Sequence, residues 1–385
     1  MKRILVFTGG GLAPALNSTI YGVAEAAKKN NTEVFGGFFG WASLLPGGKY
    51  TRIDNLDLTS IKNHGGTILR SSRTNPFKVE GSLEYIKNKI AELKLDGIVA
   101  IGGDDTLGAA ARLFDAGVPI VGIPKTIDND LSGTYFTPGF PSAAYYLKIF
   151  TRQIKEDAAY TLSRIFVIES LGMKAGWLAA SSIYGGADVI IPPEGIYDLD
   201  KVLQTIQTRY KKNGNYAVVV VSQEASFTQN LGIREEHQIN EQYGHKRQSF
   251  ICLTLKEIIK EKLGIDTKAL YPGNFLEADE PVELDKTIAW QLGEKAVELI
   301  KNGQFGQMST VVREDKTKMN LGIGTIPLQD VAGANKYRSL PEDFFNKEEM
   351  KPTQKFLDYM APLAGVFDEK EDDYTRLIKI ISAST

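Results

Sequence analysis

Residues 97–130 read GIVAIGGDDTLGAAARLFDAGVPIVGIPKTIDND, and their arrangement decides the fold. Gly97 to Ile101 is a short continuous apolar run, as in a strand buried on both faces. Asp105 to Phe114 has helical period, and Pro119 to Gly122 is a second buried run. Strand, crossover helix and strand in so short a span make a parallel unit, and in open parallel sheets ligands bind outside the carboxyl ends of the strands. Both polar clusters of the stretch fall there: Gly102-Gly103-Asp104-Asp105-Thr106 after the first strand, and Pro124-Lys125-Thr126-Ile127-Asp128-Asn129-Asp130 after the second.

The same alternation continues in both directions. Ile4 to Phe7 and Glu33 to Phe39 read as strands around a helix at Asn17 to Lys29, and Leu83 to Leu93 reads as the helix before Gly97. Beyond Asp130, strands are expected at Arg164 to Ile168, Ala187 to Ile191 and Ala217 to Val221. Helices are expected around Ala175 to Ser182 and over Leu199 to Tyr210 and Asp285 to Lys301. The pattern is used twice, so the expected fold class is α/β: two doubly wound, Rossmann-like domains with mostly parallel sheets and the site in the cleft. The expected domains are 1–138 with about 282–328 on the donor side, and about 139–281 with 329–385 on the acceptor side. Residues 225–247 are polar without period and read either as a solvated hairpin or loop, or as a lid. The acidic run from Asp368 to Asp373 reads as a solvated terminus.

Composition excludes several classes. Lys plus Arg number 45 against 47 Asp plus Glu, a net charge of −2 over 385 residues, without the basic excess of a general nucleic-acid binder. With 43% hydrophobic and 24% charged residues the chain is ordinary globular protein rather than a disordered one. The single cysteine, Cys252, cannot form an intrachain disulfide, and its apolar run makes it a buried small hydrophobe. The apolar run after Lys2-Arg3 is too short for a signal segment or a membrane span, so the expectation is a cytoplasmic protein with no membrane partner. His64, His237 and His245 lack metal-ligand spacing.

Three clusters carry chemistry. Gly9-Gly10-Gly11 follows the first strand, where glycines let backbone N–H groups approach a phosphate with a helix dipole behind them; a plain tight turn is the other reading. The spaced glycines of a dinucleotide fold, its ribose-binding acid and the Walker lysine are all missing, which sets a nicotinamide dehydrogenase far behind. Asp104 and Asp105, beside two glycines and a helix start, fit a divalent cation carrying phosphate oxygens, or else a helix cap. In the third cluster Lys125 can neutralise a transferring phosphoryl group, Asp128 can take the proton of an attacking hydroxyl, and Thr126 and Asp130 can orient that hydroxyl.

With these motifs the chain resembles the phosphofructokinase family, and within it the pyrophosphate-dependent branch, from the glycine-rich start to at least the helix at 285–301. The resemblance implies a phosphotransferase that uses magnesium and moves a phosphoryl group from pyrophosphate to fructose 6-phosphate. It places Gly10 and Gly11 in the donor-phosphate loop with Asp105 and Thr106, Asp104 at the magnesium, and Arg73 across the transferring phosphate. Asp128 is the implied general base, with Thr126 and Asp130 beside the acceptor hydroxyl. ATP-using members resemble Gly-Gly-Asp-Gly with Gly-Thr in the third cluster, where this chain has Asp105 and Lys125. A carboxylate at 105 meets the α-phosphate of a nucleotide as a like charge in a partly desolvated site.

The acceptor half departs from the family. Its Met-Gly-Arg motif falls on Leu171-Gly172-Met173, with Lys174 next door, and its sugar-contacting glutamate falls on Gln223, with Glu224 one residue on. Its phosphate-binding His and Arg fall on Asn274 and Glu277. A glutamate repels a sugar phosphate and accepts hydrogen bonds from a neutral sugar or polyol. Arg164 and Lys268 match residues that reach the acceptor phosphate across a subunit interface, which implies a homodimer or homotetramer. Met173 and Trp177 also have the spacing of ordinary core residues. The rival readings are pyrophosphate-dependent phosphorylation of an unphosphorylated sugar, polyol or nucleoside, and a catalytically silent regulatory subunit.

Overall fold

A computed structural model describes residues 1–232, 235–237, 246–248, 250–313, 320–331 and 337–363. In chain order the main elements are β1 (Arg3–Thr8), α1 (Leu16–Lys29), β2 (Glu33–Gly37), β3 (Tyr50–Arg52), α2 (Ser82–Leu93), β4 (Gly97–Gly102), α3 (Asp104–Asp115), β5 (Ile120–Pro124) and α4 (Phe140–Asp157). Then follow β6 (Ile165–Ser170), α5 (Trp177–Ser181), β7 (Val189–Ile191), α6 (Leu199–Lys212), β8 (Ala217–Ser222), α7 (Ile251–Leu263), β9 (Thr267–Leu270), α8 (Phe275–Ala278), α9 (Glu283–Lys301), β10 (Gln307–Arg313), β11 (Leu321–Pro327) and α10 (Gln354–Met360).

The first sheet has the order β11-β10-β5-β4-β1-β2-β3, parallel from β10 to β2 with an antiparallel strand at each edge. The second, all parallel, has the order β9-β6-β8-β7. Strand β4 is buried at every position, as its unbroken apolar run requires. Alternation splits β1 between two cores: Ile4 and Val6 join a core that continues under the second sheet to Phe166, Ile168 and Val220, whereas Leu5 and Phe7 pack with Ala100 and Leu107. A third core, holding Val167, Val219 and the buried Cys252, lies on the far face of the second sheet.

Several elements differ from the sequence reading. Strand β2 stops at Gly37, because Phe39 takes a left-handed conformation (φ 64°) ahead of the turn Gly40–Leu44. The helix expected around Ala175 to Ser182 is confined to α5, continued by a 3-10 turn at Ser182–Gly185. Helix α4 went unread, and the apolar run at Phe250 opens α7. Within 225–247, Glu235–His237 pairs antiparallel with Lys246–Gln248, the frame of a hairpin. Residues 238–245 with His245, and the run Asp368 to Asp373, lie outside the described residues. His64 is exposed, its Nδ1 bonded to the Ser60 carbonyl at 2.8 Å. No helix among the described residues is long and apolar enough to cross a membrane.

One buried carboxylate ties α9 to α4. Asp285, at the start of α9, accepts from Gly139 N at 3.0 Å, from Ser142 N at 2.9 Å and from the Ser142 hydroxyl. Helix α9 packs along α1 of the first half, so Asp285 caps α4 from a distant element. Burial pushes its carboxyl up to about 6 against the pull of these three donors. Replacing Asp285 with Ala orphans two buried N–H groups and is expected to cost about 2–4 kcal/mol. Urea unfolding followed by circular dichroism measures this as a lowered midpoint, and an unchanged midpoint would remove Asp285 from the joint.

Candidate active site

The strand ends of both sheets line a cavity of about 490 Å³. Its walls hold Gly10, Gly11, Arg73, Asp104, Asp105, Thr106, Lys125, Thr126, Asp128 and Asp130 from the first half, with Leu171, Gly172, Met173, Gln223 and Glu277 opposite. Asn274 lines an adjoining cavity of about 540 Å³ that shares Gly10, Gly11, Arg73 and Glu277 with the first. Arg164 and Lys268 line neither. Arg164 precedes β6, and Lys268 pairs with Phe166 near its start, so both stand at the strand ends opposite Ser170 to Met173. Arg164 is buried, 3.4 Å from the Asp266 carboxylate, with its guanidinium 6.0 Å from the Phe166 ring.

The glycine loop is built from inside. Ser71 Oγ donates to the Gly10 carbonyl at 2.6 Å, Gly10 N donates to Ser72 O at 3.0 Å, and Lys125 Nζ donates to Gly11 O at 2.6 Å. Gly10 has φ +85°, and a Cβ there would stand 3.4 Å from Lys125 Nζ. Helix α1, expected behind this loop, begins at Leu16 with its first donors engaged. The N–H groups of Leu16 and Asn17 are taken by Ala13 O and Gly66 O, and the Asn17 amide binds His64 O and Gly65 O. The helix start that enters the cavity wall is that of α3, whose N-cap is Gly103, with Asp104 and Asp105 as its first two residues. Neither carboxylate is the N-cap itself, and both stand in the first turn of α3. Thr106 is buried in the notch between two strand ends, where a Cβ on Gly102 would lie 2.4 Å from its own Cβ.

Lys125 is 3% exposed. Burial pushes its ammonium down to about 8; Glu277 and Asp128 pull against this, and Arg73 adds to it. Burial, and then the neighbouring Asp128, push the Asp130 carboxyl well above the usual range, so the Asp128–Asp130 pair holds a proton near neutral pH.

The loop that carries these groups is clamped. Asp128 N donates to Thr126 Oγ1 at 3.1 Å. Asn129, at φ 58°, donates to the Tyr359 hydroxyl at 3.0 Å and accepts from Thr137 N at 3.1 Å. From the C-terminal side Arg338 N donates to Asp130 O at 2.8 Å, while the Arg338 guanidinium lies 4.4 Å over the Trp177 ring and donates to the Tyr359 hydroxyl at 2.7 Å. Trp177 is thus core, as its spacing suggested; Met173, at φ 49°, faces the cavity, its Sδ accepting from Gln223 Nε2 at 2.9 Å.

Tyr337 was missed by sequence reasoning. It lines the cavity through an antiparallel bridge to Leu131, and burial, Asp130 and Glu194 keep its phenol protonated. Nothing local in the sequence marks it, since its partners lie far away along the chain.

A family model described as Phosphofructokinase matches residues 3–300. A pyrophosphate–fructose 6-phosphate 1-phosphotransferase of Amycolatopsis mediterranei is 37% identical over 335 residues, covering 86% of this chain and 96% of that protein. The ATP-dependent 6-phosphofructokinase 3 of Bacteroides thetaiotaomicron is 36% identical over 351 residues, covering 89% and 95%. A pyrophosphate-dependent phosphofructokinase of Marinobacter aquaeolei shares the fold with a TM-score of 0.83 at 24% identity, covering 97% of this chain and 94% of that one.

Because the folded-state pKa of Lys125 is depressed to about 8, its charge is lost as pH rises through that value. Pyrophosphate affinity, measured by calorimetry from pH 6.5 to 9.5, is expected to fall above about pH 8. Pyrophosphate itself gains charge over that range, so a fall reports the protein. Lys125→Gln should abolish this limb, and Glu277→Gln, which removes an upward pull, should move it to lower pH. A flat profile in the unsubstituted protein would show that Lys125 does not meet the ligand.

Proposed function

The chain belongs to the phosphofructokinase family, and on that premise we propose that it transfers a phosphoryl group from pyrophosphate to a sugar hydroxyl. Fructose 6-phosphate, phosphorylated at its 1-hydroxyl, is the acceptor that the names of its relatives carry over. The observation that carries the reading is the division of one cavity: Arg73 and Lys125 stand with Asp104 and Asp105 at the donor loop, and Asp128 and Asp130 stand beside them on a clamped loop.

In this reading Lys125 and Arg73 hold the donor phosphates and neutralise charge that develops on the moving phosphoryl group. Asp128 takes the proton of the attacking hydroxyl, while Asp130, whose carboxyl is raised by burial and by its neighbour Asp128, stands beside the acceptor. Asp105, at the start of α3, excludes a nucleotide α-phosphate, which favours pyrophosphate over ATP. Among the described residues no group of three or more His, Cys, Asp or Glu could hold a metal alone. That donor set suits magnesium, which takes one or two carboxylates and fills its shell with waters and substrate phosphate oxygens, so Asp104 would hold it. Bound there, the ion supplies charge neutralisation for the phosphate oxygens.

A silent regulatory copy has no need of an acid, a base and a buried cation at one spot. Phosphate release with magnesium, measured for pyrophosphate and ATP across a panel of sugar acceptors, is expected to favour pyrophosphate. Asp128→Asn is expected to lower kcat by about 10²–10⁴ with an unchanged thermal midpoint. Equal turnover by the variant, or a preference for ATP, would sink the corresponding part of the reading.

A further inference from the structure

The space around the glycine loop does not end at the cavity that holds Lys125 and Asp128. The adjoining cavity of about 540 Å³ runs between that loop and α8 and adds Thr67, Arg70, Ser71 and Asn274 to the walls, while Asp104, Lys125 and Asp128 do not border it. It therefore takes whatever part of a bound ligand is neither the metal-side phosphate nor the reacting hydroxyl. Two guanidinium groups, of Arg70 and Arg73, face it against one carboxylate, Glu277. Glu277 Oε1 stands over the glycine loop, 3.9 Å from where a Cβ on Gly11 would lie, and its charge acts on Lys125. The hydroxyls of the wall are engaged within the protein: Thr67 Oγ1 is 3.0 Å from Thr8 Oγ1 and accepts from Leu69 N at 3.2 Å, and Ser71 Oγ donates to Gly10 O.

Arg70 is held in an unusual way. Its φ of 56° is a conformation that costs a non-glycine residue energy and persists where the surroundings hold it. Thr8 Oγ1 donates to its carbonyl at 2.9 Å, and its guanidinium, exposed, lies 5.4 Å over the ring of Phe39. Phe39, left-handed as well, donates its N–H to Leu69 O at 3.1 Å, and its carbonyl accepts from Ser72 Oγ at 2.6 Å. Neighbours of Arg70 on either side thus fix the ring on which it lies. A guanidinium stacked on a ring keeps N–H donors along its edges, the geometry that grips a phosphate through two parallel bonds. Binding an anion accounts for an arginine where the backbone favours glycine.

Both ligands of the proposed reaction carry phosphate. In an in-line transfer the leaving oxygen stands opposite the attacking hydroxyl, so the donor runs from the moving phosphoryl group toward Asp104 and α3. No residue of α3 borders the adjoining cavity. The acceptor instead pivots on its hydroxyl at Asp128, and its far end can turn past Glu277 toward α8, which follows the rest of the acceptor wall in the chain. Fructose 6-phosphate carries its phosphate at the end remote from its 1-hydroxyl.

We propose that Arg70, with the Asn274 amide across the same cavity, binds the phosphate at the remote end of the acceptor and so makes this protein select a sugar phosphate over the free sugar. The inference rests on the phosphoryl transfer proposed above and names a residue that sets its acceptor.

The test uses Arg70→Gly, which suits the left-handed backbone, and Arg70→Lys, which keeps the charge without the paired donors. Rates with magnesium give KM for fructose 6-phosphate at saturating pyrophosphate and the reverse, and calorimetry gives the affinity for fructose 6-phosphate without turnover. Arg70→Gly is expected to raise that KM and weaken that binding at least tenfold, with KM for pyrophosphate within threefold and the thermal midpoint at or above that of the unsubstituted protein. Arg70→Lys is expected to recover part of the loss. Should Arg70→Gly fail to fold, Arg70→Asn, whose side chain also tolerates this backbone, is read by the same criteria. A smaller change for fructose 6-phosphate overturns the inference, and so does an equal or larger loss for pyrophosphate, which would put Arg70 on the donor. No binding of fructose 6-phosphate to the unsubstituted protein overturns it as well. Binding that Arg70→Gly weakens, without any phosphoryl transfer from pyrophosphate, sinks the phosphotransfer reading and leaves Arg70 as the phosphate-binding residue.

Discussion

Sealing one ammonium group under the glycine loop fixes the relation of the two strand ends that matter. Lys125 follows Pro124, the last residue of β5, with its own N–H on the carbonyl of Gly102 in β4, and its Nζ reaches back to the Gly11 carbonyl beyond β1. Three strand ends of one sheet thus meet around a single cation that is almost entirely buried. A buried lysine is costly unless anions surround it, and here the anions are Asp128 and Glu277. The site is therefore a charge-balanced unit whose members set one another's protonation. Any ligand that brings anionic oxygens to Lys125 competes with Glu277 for it.

Rigidity comes from the other direction. The run from Lys125 to Asp130 contains a left-handed asparagine, a conformation that costs energy in a non-glycine residue and persists where its surroundings hold it. Here the Asn129 amide is bonded at both ends, to Tyr359 and to Thr137, and the Asp130 carbonyl is held by Arg338. Arg338 is in turn sandwiched on Trp177 of the second half. Asp128 and Asp130, beyond the end of β5, are thus positioned by aromatic and guanidinium groups drawn from the far end of the chain. Such preorganisation lowers the cost of aligning a hydroxyl for attack.

How much of this is legible in the sequence follows from the range of the interactions. Strands β1, β4 and β5, and the clusters at their carboxyl ends, stand out because each is a continuous apolar run followed at once by its polar residues. The residues proposed for catalysis and donor binding are thus local to the features that announce them. That the first donors of α1 are engaged is not legible, because the Gly66 carbonyl that takes the Asn17 N–H lies far along the chain. Tyr337 and Arg338 are invisible for the same reason, as their partners are Leu131, Asp130 and Trp177. The start of helix α4 depends on Asp285, contributed by α9 from far along the chain.

This difference in range also explains why donor and acceptor chemistry can diverge independently. The donor groups issue from neighbouring strands of one sheet and from α3, so a change at Gly10, Asp104 or Lys125 disturbs the packing of the others. The acceptor wall is assembled from four separate places: the end of β6, the end of β8, the short helix α8 and the segment at Tyr337. Met173 touches Gln223, and Glu277 sits on a four-residue helix bordering both cavities, so each can be exchanged without rebuilding a strand. Glu277 stands between the two, bordering both cavities while its charge favours the protonated form of Lys125.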